Sequence, residues 1–407
     1  MTEHRSFTIQ YDMLYLLSCG VNKIKPQQNI LEQYKSDDRK LIQLYWFSKQ
    51  HFVDALTGTV LKQARVTLPD PWEKDMAKAV RKVILFDAER ARILSFMEQR
   101  GIWYLPLKGI ILKEFYPSVG MRQMSDNDIL FDEAFAEQVR EYMVSRGYEV
   151  ISFGEGNHDG YEKEPVYNFE LHRALYGAAH DNNWEQYYRD VKERLIREEG
   201  SSYRYHMKPE DFYIYIMCHG YKHYQGSGTG IRTLLDFYVY LESLHSEMDF
   251  AYIEKECETL GMSEFEKRNR ALCRKVFGDN AFAELPAEER VPDTAAHTTK
   301  EIITKALSQE ELDMLQYYMT SGVYGTFDRR IENNVKKYSK NGGSSKLRYV
   351  IKRIFPGMET YQYYPFFYKH KWLLPVCWLY RLLRVVFQRE RRERILREAD
   401  AVRKVKV

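Results

Sequence analysis

Apolar residues recur at three- and four-residue spacings through the first hundred residues. The pattern predicts helices over FSKQHFVDALTGTVLKQA (47–64) and EKDMAKAVRKVILFDAERARILSFMEQR (73–100). Leu68-Pro69-Asp70-Pro71 separates the two, and Gly101 closes the second as its C′ residue. After Gly101 the period changes. IWYLPL reads as a strand, and IILKEFYP as a short helix ended by Pro117. MSDNDILF is a second strand, EAFAEQVREYMVSRG an amphipathic helix, YEVISF a third strand, and EPVYNFELHRAL holds a fourth. GEGNHDGYEKE between the last two reads as a turn or loop. From about Pro209 helical spacing returns and runs through SQEELDMLQYYM (308–319).

This order predicts an α+β fold, a small mixed β-sheet core flanked by N-terminal and C-terminal helical regions. Four regions follow: helices over 1–100, the sheet core over 101–200, a helical domain over 201–332 that completes a pocket, and a linker with a basic aromatic tail over 333–407. NNVKKYSKNGGSSK (333–346) is the linker.

Composition adds three constraints. An apolar fraction of 44% suffices for a real core. The five cysteines are scattered and never in CxxC spacing, so they form neither a disulfide framework nor a zinc site and read as reduced thiols of a cytoplasmic protein. Charge is uneven. Residues 331–407 hold 19 Lys and Arg against 6 Asp and Glu, while the preceding residues hold 42 against 52. A basic tail on an acidic body calls for an anionic partner or for docking of one on the other. The tail, with its aromatics and arginines, reads first as a helix laid back on the body, with Pro375 interrupting it early. An anionic membrane surface is the second reading, which would make the protein peripheral to the membrane. Nothing in it specifies base readout, so no sequence-specific nucleic-acid binding is expected.

The candidate chemistry starts with Asp126 and Asp128. Two positions apart on a strand, their carboxylates share a face, with Ile129 and Phe131 free to enter the core. Like charges so close need a counterion, and oxygen ligands suit Mg²⁺, which also binds substrate phosphates. A two-metal site needs a third carboxylate from a neighbouring strand, and Glu170 in NFELH supplies it, with His172 on the same face. Lys108-Gly109 forms a tight turn before a helix start, which suits a triphosphate: a point charge, a close backbone and free N–H groups. Arg122 lies four residues before Asp126, within reach of the same phosphates.

These residues together resemble the uncharacterised bacterial nucleotidyltransferase family of the polymerase-β-like nucleotidyltransferase superfamily. The matching pieces are Leu107-Lys108-Gly109, Tyr116-Pro117, Arg122, Asp126-x-Asp128, Gly147-Tyr148 and Glu170-Leu171-His172. The resemblance continues through His219, Lys222, His223, Arg232 and Asp236, and covers about residues 100–240. It implies transfer of a nucleoside monophosphate from a nucleoside triphosphate, ATP among the candidates, to a hydroxyl acceptor that the sequence does not identify. Asp126, Asp128 and Glu170 would be catalytic and hold two Mg²⁺ ions. Lys108, Gly109, Arg122 and His172 would bind the nucleotide, and the five later residues would line the pocket. Two departures stand out: a Lys-Gly turn replaces the superfamily's Gly-Gly or Gly-Ser, and Asn127 sits where a branched apolar residue is usual, at some cost in packing.

Two other readings compete. One is a non-catalytic interaction protein that kept the fold. The other is a metal hydrolase built on His219 and His223, which are four apart on a helix, although Gly220 stands where a zinc protease has its glutamate. Arg232 and Asp236, also four apart, read as an intrahelical ion pair.

Overall fold

A computed structural model describes residues 2–177, 183–283, 298–338, 345–355, 370–373, 376–377, 380 and 389–405. The chain divides into two compact units, Met1–Tyr221 with Gly230–Val323, and Lys222–Thr229 with Tyr324–Val407.

The first unit opens with helices α1 (Thr2–Val21), α2 (Gln28–Ser36), α3 (Asp38–Gln50), α4 (Asp54–Gln63) and α5 (Asp70–Arg100). The stretch 47–64, expected as one helix, is broken at His51–Val53, where Phe52 has a φ of +54°. The break is built in by His51, which is fully buried. Its Nε2 lies 3.2 Å from the Met319 carbonyl, and its Nδ1 accepts the Ile231 N–H at 3.2 Å. Helix α5 begins with Pro71 in its first turn beside the acidic Asp70 and Glu73, which suit a helix N-terminus.

The sheet has five strands: β1 (Tyr104–Pro106), β2 (Asn127–Phe131), β3 (Glu149–Ser152), β4 (His158–Lys163) and β5 (Tyr167–His172), in spatial order β1-β2-β5-β4-β3. Only β2 and β5 run parallel, so the sheet is mixed as expected. Four strands were expected, and β4 lies in the stretch read as a loop. Its polar sequence hides an alternating pattern in which Asp159 and Tyr161 face inward. Asp159 is tolerated there because Arg173 Nε donates to it at 2.9 Å and the Gly154 N–H at 2.8 Å. Helices α6 (Gly109–Leu112) and α7 (Ala136–Ser145) complete this part. One sheet face packs on α5 and α7. Val83, Phe86, Ile93 and Met97 meet Ile129, Phe131, Phe169 and Leu171, with Val139 and Met143 alongside. Burying one such side chain is worth roughly 1.5–3 kcal/mol, and this apolar layer leaves the alternate residues of β2 and β5 on the opposite face.

After α8 (Trp184–Tyr188) and a two-stranded ribbon of β6 (Ile196–Arg197) and β7 (Tyr205–His206), the chain is helical. It continues through α9 (Pro209–Gln225), α10 (Ile231–Leu244), α11 (Phe250–Thr259), α12 (Ser263–Phe277), α13 (Thr299–Ala306) and α14 (Gln309–Ser321). No helix among the described residues is long and apolar enough to cross a membrane. All five cysteines are buried, and no disulfide joins them.

In the second unit, α15 (Phe327–Lys337), α16 (Ser345–Ile354) and α17 (Arg389–Lys404) share a small core of Ile331, Val335, Tyr349, Ala401, Val402 and Val405. Residues 333–337, expected in the linker, are the last turns of α15, because Val335 lies one turn after Ile331 on the buried face. The end of the basic tail thus packs on helices of its own unit, where Glu398 accepts from Tyr349 Oη at 2.5 Å and Arg353 Nε at 2.8 Å. Pro375 and most of the aromatic stretch around it lie outside the described residues.

Candidate active site

The parallel pairing of β2 with β5 builds the site. Its register sets Asp128 beside Glu170 and Leu130 beside His172, while Ile129 and Leu171 point into the apolar layer. Asp126 precedes the first residue of β2 and is partly exposed, whereas Asp128 is buried at 1% exposure. Asn127 faces the core side. Its Oδ1 accepts from Arg90 at 2.8 Å, and its buried Nδ2 has no hydrogen-bond partner, which is the cost of an amide at an apolar position.

Asp128 is the electrostatic centre. Its Oδ1 accepts from Lys108 Nζ at 2.5 Å and lies 2.9 Å from His172 Nε2. Burial alone would raise its pKa, but Lys108 and His172 outweigh burial and hold it well below the usual carboxylate range. Burial pushes His172 down to about 4, so the ring is neutral at pH 7. With Asn157 Nδ2 3.4 Å from its Nδ1, the tautomer that fits carries the proton on Nε2 and donates it to Asp128. The other two carboxyls behave oppositely. Burial, then Asp128, raises Asp126. Burial, then Asp128, pushes Glu170 up to about 7. Of the three carboxyls, Asp128 is the one that holds the Lys108 ammonium.

Lys108 sits at φ +46°, ψ −116°, rare for a side chain with a Cβ. Such a residue costs on the order of 1–3 kcal/mol and persists only where its surroundings impose it. Here the Leu107 N–H is bonded to the Asp128 carbonyl at 2.9 Å, and the Lys108 ammonium to the Asp128 carboxylate. Gly109 answers a packing need: a Cβ there would lie 2.6 Å from Arg122 Nη1 and 3.0 Å from the Met124 sulfur. The helix after the turn is a single turn, Gly109–Leu112, so the helix-terminus contribution expected for phosphate binding is small.

Arg122 and Asp236 have different partners from those expected. Arg122 does not reach outward for phosphate. It is buried, and its Nε and Nη2 donate to Asp236 Oδ1 and Oδ2 at 2.8 and 2.9 Å. Tyr116 Oη also donates to Asp236 at 2.8 Å, so the network ties α10 to the segment before β2. Asp236 is consequently not the hydrogen-bonded partner of Arg232, whose Nη1 donates to the Gln123 carbonyl at 3.3 Å. Burial, then Arg122, lowers the Arg232 pKa, while Asp126 acts in the opposite direction.

Two groups that the motifs did not single out also belong here. Lys82 on α5 donates to the Ser125 carbonyl at 3.1 Å and feels the charge of Asp126. Tyr215 on α9 is buried, and its hydroxyl feels Lys108, Asp128 and Glu170. Both sit on helices whose amphipathic pattern accounts for them as ordinary helix residues, so only tertiary packing reveals them. His219 is half-buried on α9; Lys222 and His223 are exposed and belong to the second unit. Among the described residues, neither histidine joins a group of three metal-ligating side chains. Gly220, in the place of a zinc-protease glutamate, is where Phe237 of α10 packs, 2.4 Å from an added Cβ.

Glu170 makes the cluster sensitive to pH. Folded, its carboxyl keeps a proton to about pH 7, against roughly 4.3 unfolded. Between those values the folded chain binds more protons, so this group's contribution to stability falls as pH rises through the window. Glu170→Gln lacks that dependence. Its melting temperature relative to wild type should therefore climb between pH 5 and pH 8, and parallel curves would contradict the assignment.

A mixed five-stranded sheet that sets Asp128 of one strand beside Glu170 of the next, with Asp126 just before the first and helices on its flanks, is an α+β fold of the nucleotidyltransferase kind. A family model described as uncharacterised nucleotidyltransferase matches residues 37–278, more than half of the chain, and the protein belongs to that family. The match extends on both sides of the 100–240 stretch that carries the motifs. No curated protein and no solved structure matches the chain.

Proposed function

We propose that the protein is a Mg²⁺-dependent nucleotidyltransferase that moves a nucleoside monophosphate from a nucleoside triphosphate to a hydroxyl acceptor. The observation that carries this reading is the parallel pairing of β2 with β5, which sets the Asp128 carboxylate beside that of Glu170, with Asp126 near enough that its charge and that of Asp128 both raise Glu170. That donor set fits hard divalent cations, with Asp126, Asp128 and Glu170 as the ligands. Bound there, Mg²⁺ would neutralise the triphosphate and polarise the α-phosphate.

The remaining work falls to the chain. With a cation held at Asp128, Lys108 would be freed to face the phosphate tail, and Lys82 and Arg232 would add positive charge on the Asp126 side. The acceptor oxygen attacks the α-phosphorus, the bond to the β-phosphate breaks, and pyrophosphate leaves. Glu170, beside Asp128 at the sheet, takes the acceptor proton, since a base must lie within hydrogen-bond reach of the attacking hydroxyl. Arg122 acts indirectly, by holding Asp236 and Tyr116.

The direct test is incubation with each α-labelled nucleoside triphosphate, Mg²⁺ and a cell extract as the acceptor pool. A labelled product that needs both aspartates is expected, and its absence points to a non-catalytic member of the family. Lys108→Met provides a second test without an acceptor. Breaking a buried ion pair costs about 3–5 kcal/mol, so the metal-free variant should be strongly destabilised. Millimolar Mg²⁺ should restore part of that loss, because the ion takes the ammonium's place at Asp128. No Mg²⁺-dependent recovery would remove the proposed exchange of cations.

A further inference from the structure

Beside the Asp126–Asp128 position, three side chains have the make-up of a different site. Strands β4 and β5 pair so that His158 lies opposite His172, with ring centres 5.1 Å apart. Glu170 Oε2 lies 3.9 Å from His158 Nε2 and 3.7 Å from His172 Nε2. One ligand atom from each of the three residues can be chosen within 4.8 Å of the others. We propose that His158, Glu170 and His172 form a second cation position that takes a borderline transition ion of the Zn²⁺ class rather than Mg²⁺.

Geometry and donor chemistry both support it. An ion held tetrahedrally at roughly 2.0–2.2 Å from each ligand needs donors about 3.4 Å apart. The observed separations from Glu170 come within about half an ångström of that, a shift that side-chain rotation supplies. Two imidazoles and a carboxylate suit Zn²⁺ and its neighbours in the first row, whereas Mg²⁺ asks for an octahedral shell of oxygens. The imidazole of His158 is 36% exposed, which opens a path for the ion. Binding displaces two hydrogen bonds: His172 Nε2 gives up its proton, and the bond to Asp128 with it, while Nδ1, now protonated, no longer accepts from Asn157 Nδ2. Asp128 Oδ1, 2.9 Å from that nitrogen, would then be near enough to serve as a fourth donor. Glu170 is shared with the Mg²⁺ position, and only this sharing rests on the transferase reading. The metal-binding claim stands without it.

The test uses the full chain, stripped by a chelator and titrated with Co²⁺ while its visible ligand-field absorption is followed. One Co²⁺ per chain is expected, displaced by stoichiometric Zn²⁺ but not by millimolar Mg²⁺. His158→Gln should weaken Co²⁺ binding at least about tenfold, since even a lost supporting contact to a metal ligand costs that much. Asp126→Asn and the double variant His219→Gln/His223→Gln should keep it. Pulsed magnetic resonance of the Cu²⁺-loaded wild type should show two coupled imidazole nitrogens, a readout that does not depend on any variant folding. Unchanged Co²⁺ affinity in His158→Gln, or loss of binding in the His219/His223 variant instead, overturns the proposal. So does a Cu²⁺ spectrum without imidazole coupling. Failure of the transferase reading shows elsewhere, as no Mg²⁺-dependent nucleotide binding that responds to Asp126→Asn.

Discussion

Asp126→Asn is expected to lower nucleotidyl transfer by about 10³-fold, the scale on which removing one transition-state charge contact acts, while leaving the melting temperature close to that of wild type. The two aspartates differ in what else they do. Asp126 is partly exposed and lies outside the strand pairing, so an amide there disturbs little of the fold. Asp128 is buried and holds both Lys108 and His172, so Asp128→Asn strands a lysine and should lose stability along with activity. The single Asp126 variant is therefore the cleaner probe of chemistry. Label transfer from an α-labelled triphosphate, measured beside thermal unfolding, separates the effects. Full activity in a folded Asp126→Asn protein would end the assignment of that carboxylate to a metal.

The second large effect concerns stability. Arg122→Ala leaves Asp236 and Tyr116 facing an empty guanidinium position in the interior, and breaking such a buried pair costs about 3–5 kcal/mol. Denaturant unfolding should show that loss without a selective rise in KM for the nucleotide. If Arg122 instead gripped the triphosphate, KM would rise and stability would hardly change. Arg122→Met combined with Asp236→Leu should cost less than Arg122→Ala alone, because no charge is then left buried without a partner.

The same residue shows where reading the sequence stops. An arginine four positions before an aspartate pair, and an Arg-x-x-x-Asp on a later helix, each offer a local partner at the right spacing. The fold ignores both spacings and joins the first arginine to the second aspartate, 114 residues away. A buried guanidinium needs a carboxylate presented bidentately, and only the packing of α10 against the segment before β2 presents one. His158 was invisible for a related reason. It stands in a run of Gly, Asn, Asp and Glu that reads as a turn. Its strand becomes legible only when paired with β5, where Asp159 finds Arg173 and Tyr161 enters the core.

By itself the sequence determined the elements whose signals are local and periodic. The helices before Gly101 and after Pro209, the apolar face of β2 and β5, and the placing of Asp128, Glu170 and His172 on the opposite face all follow from periods of 3.6 and 2. Those periods say which way a side chain points, not whom it meets. The tertiary structure decided the partners. It turned Lys108 onto Asp128, committed Arg122 to Asp236, brought Lys82 and Tyr215 to the cluster from distant helices, and set His158 against His172. Each of these pairings is a balance of desolvation against charge, and burial, which sets that balance, exists only once the elements have packed. The opposing pKa shifts of Asp128 and Glu170, one carboxylate ionised and its neighbour holding a proton near neutrality, belong to that packed arrangement and to no stretch of the chain alone.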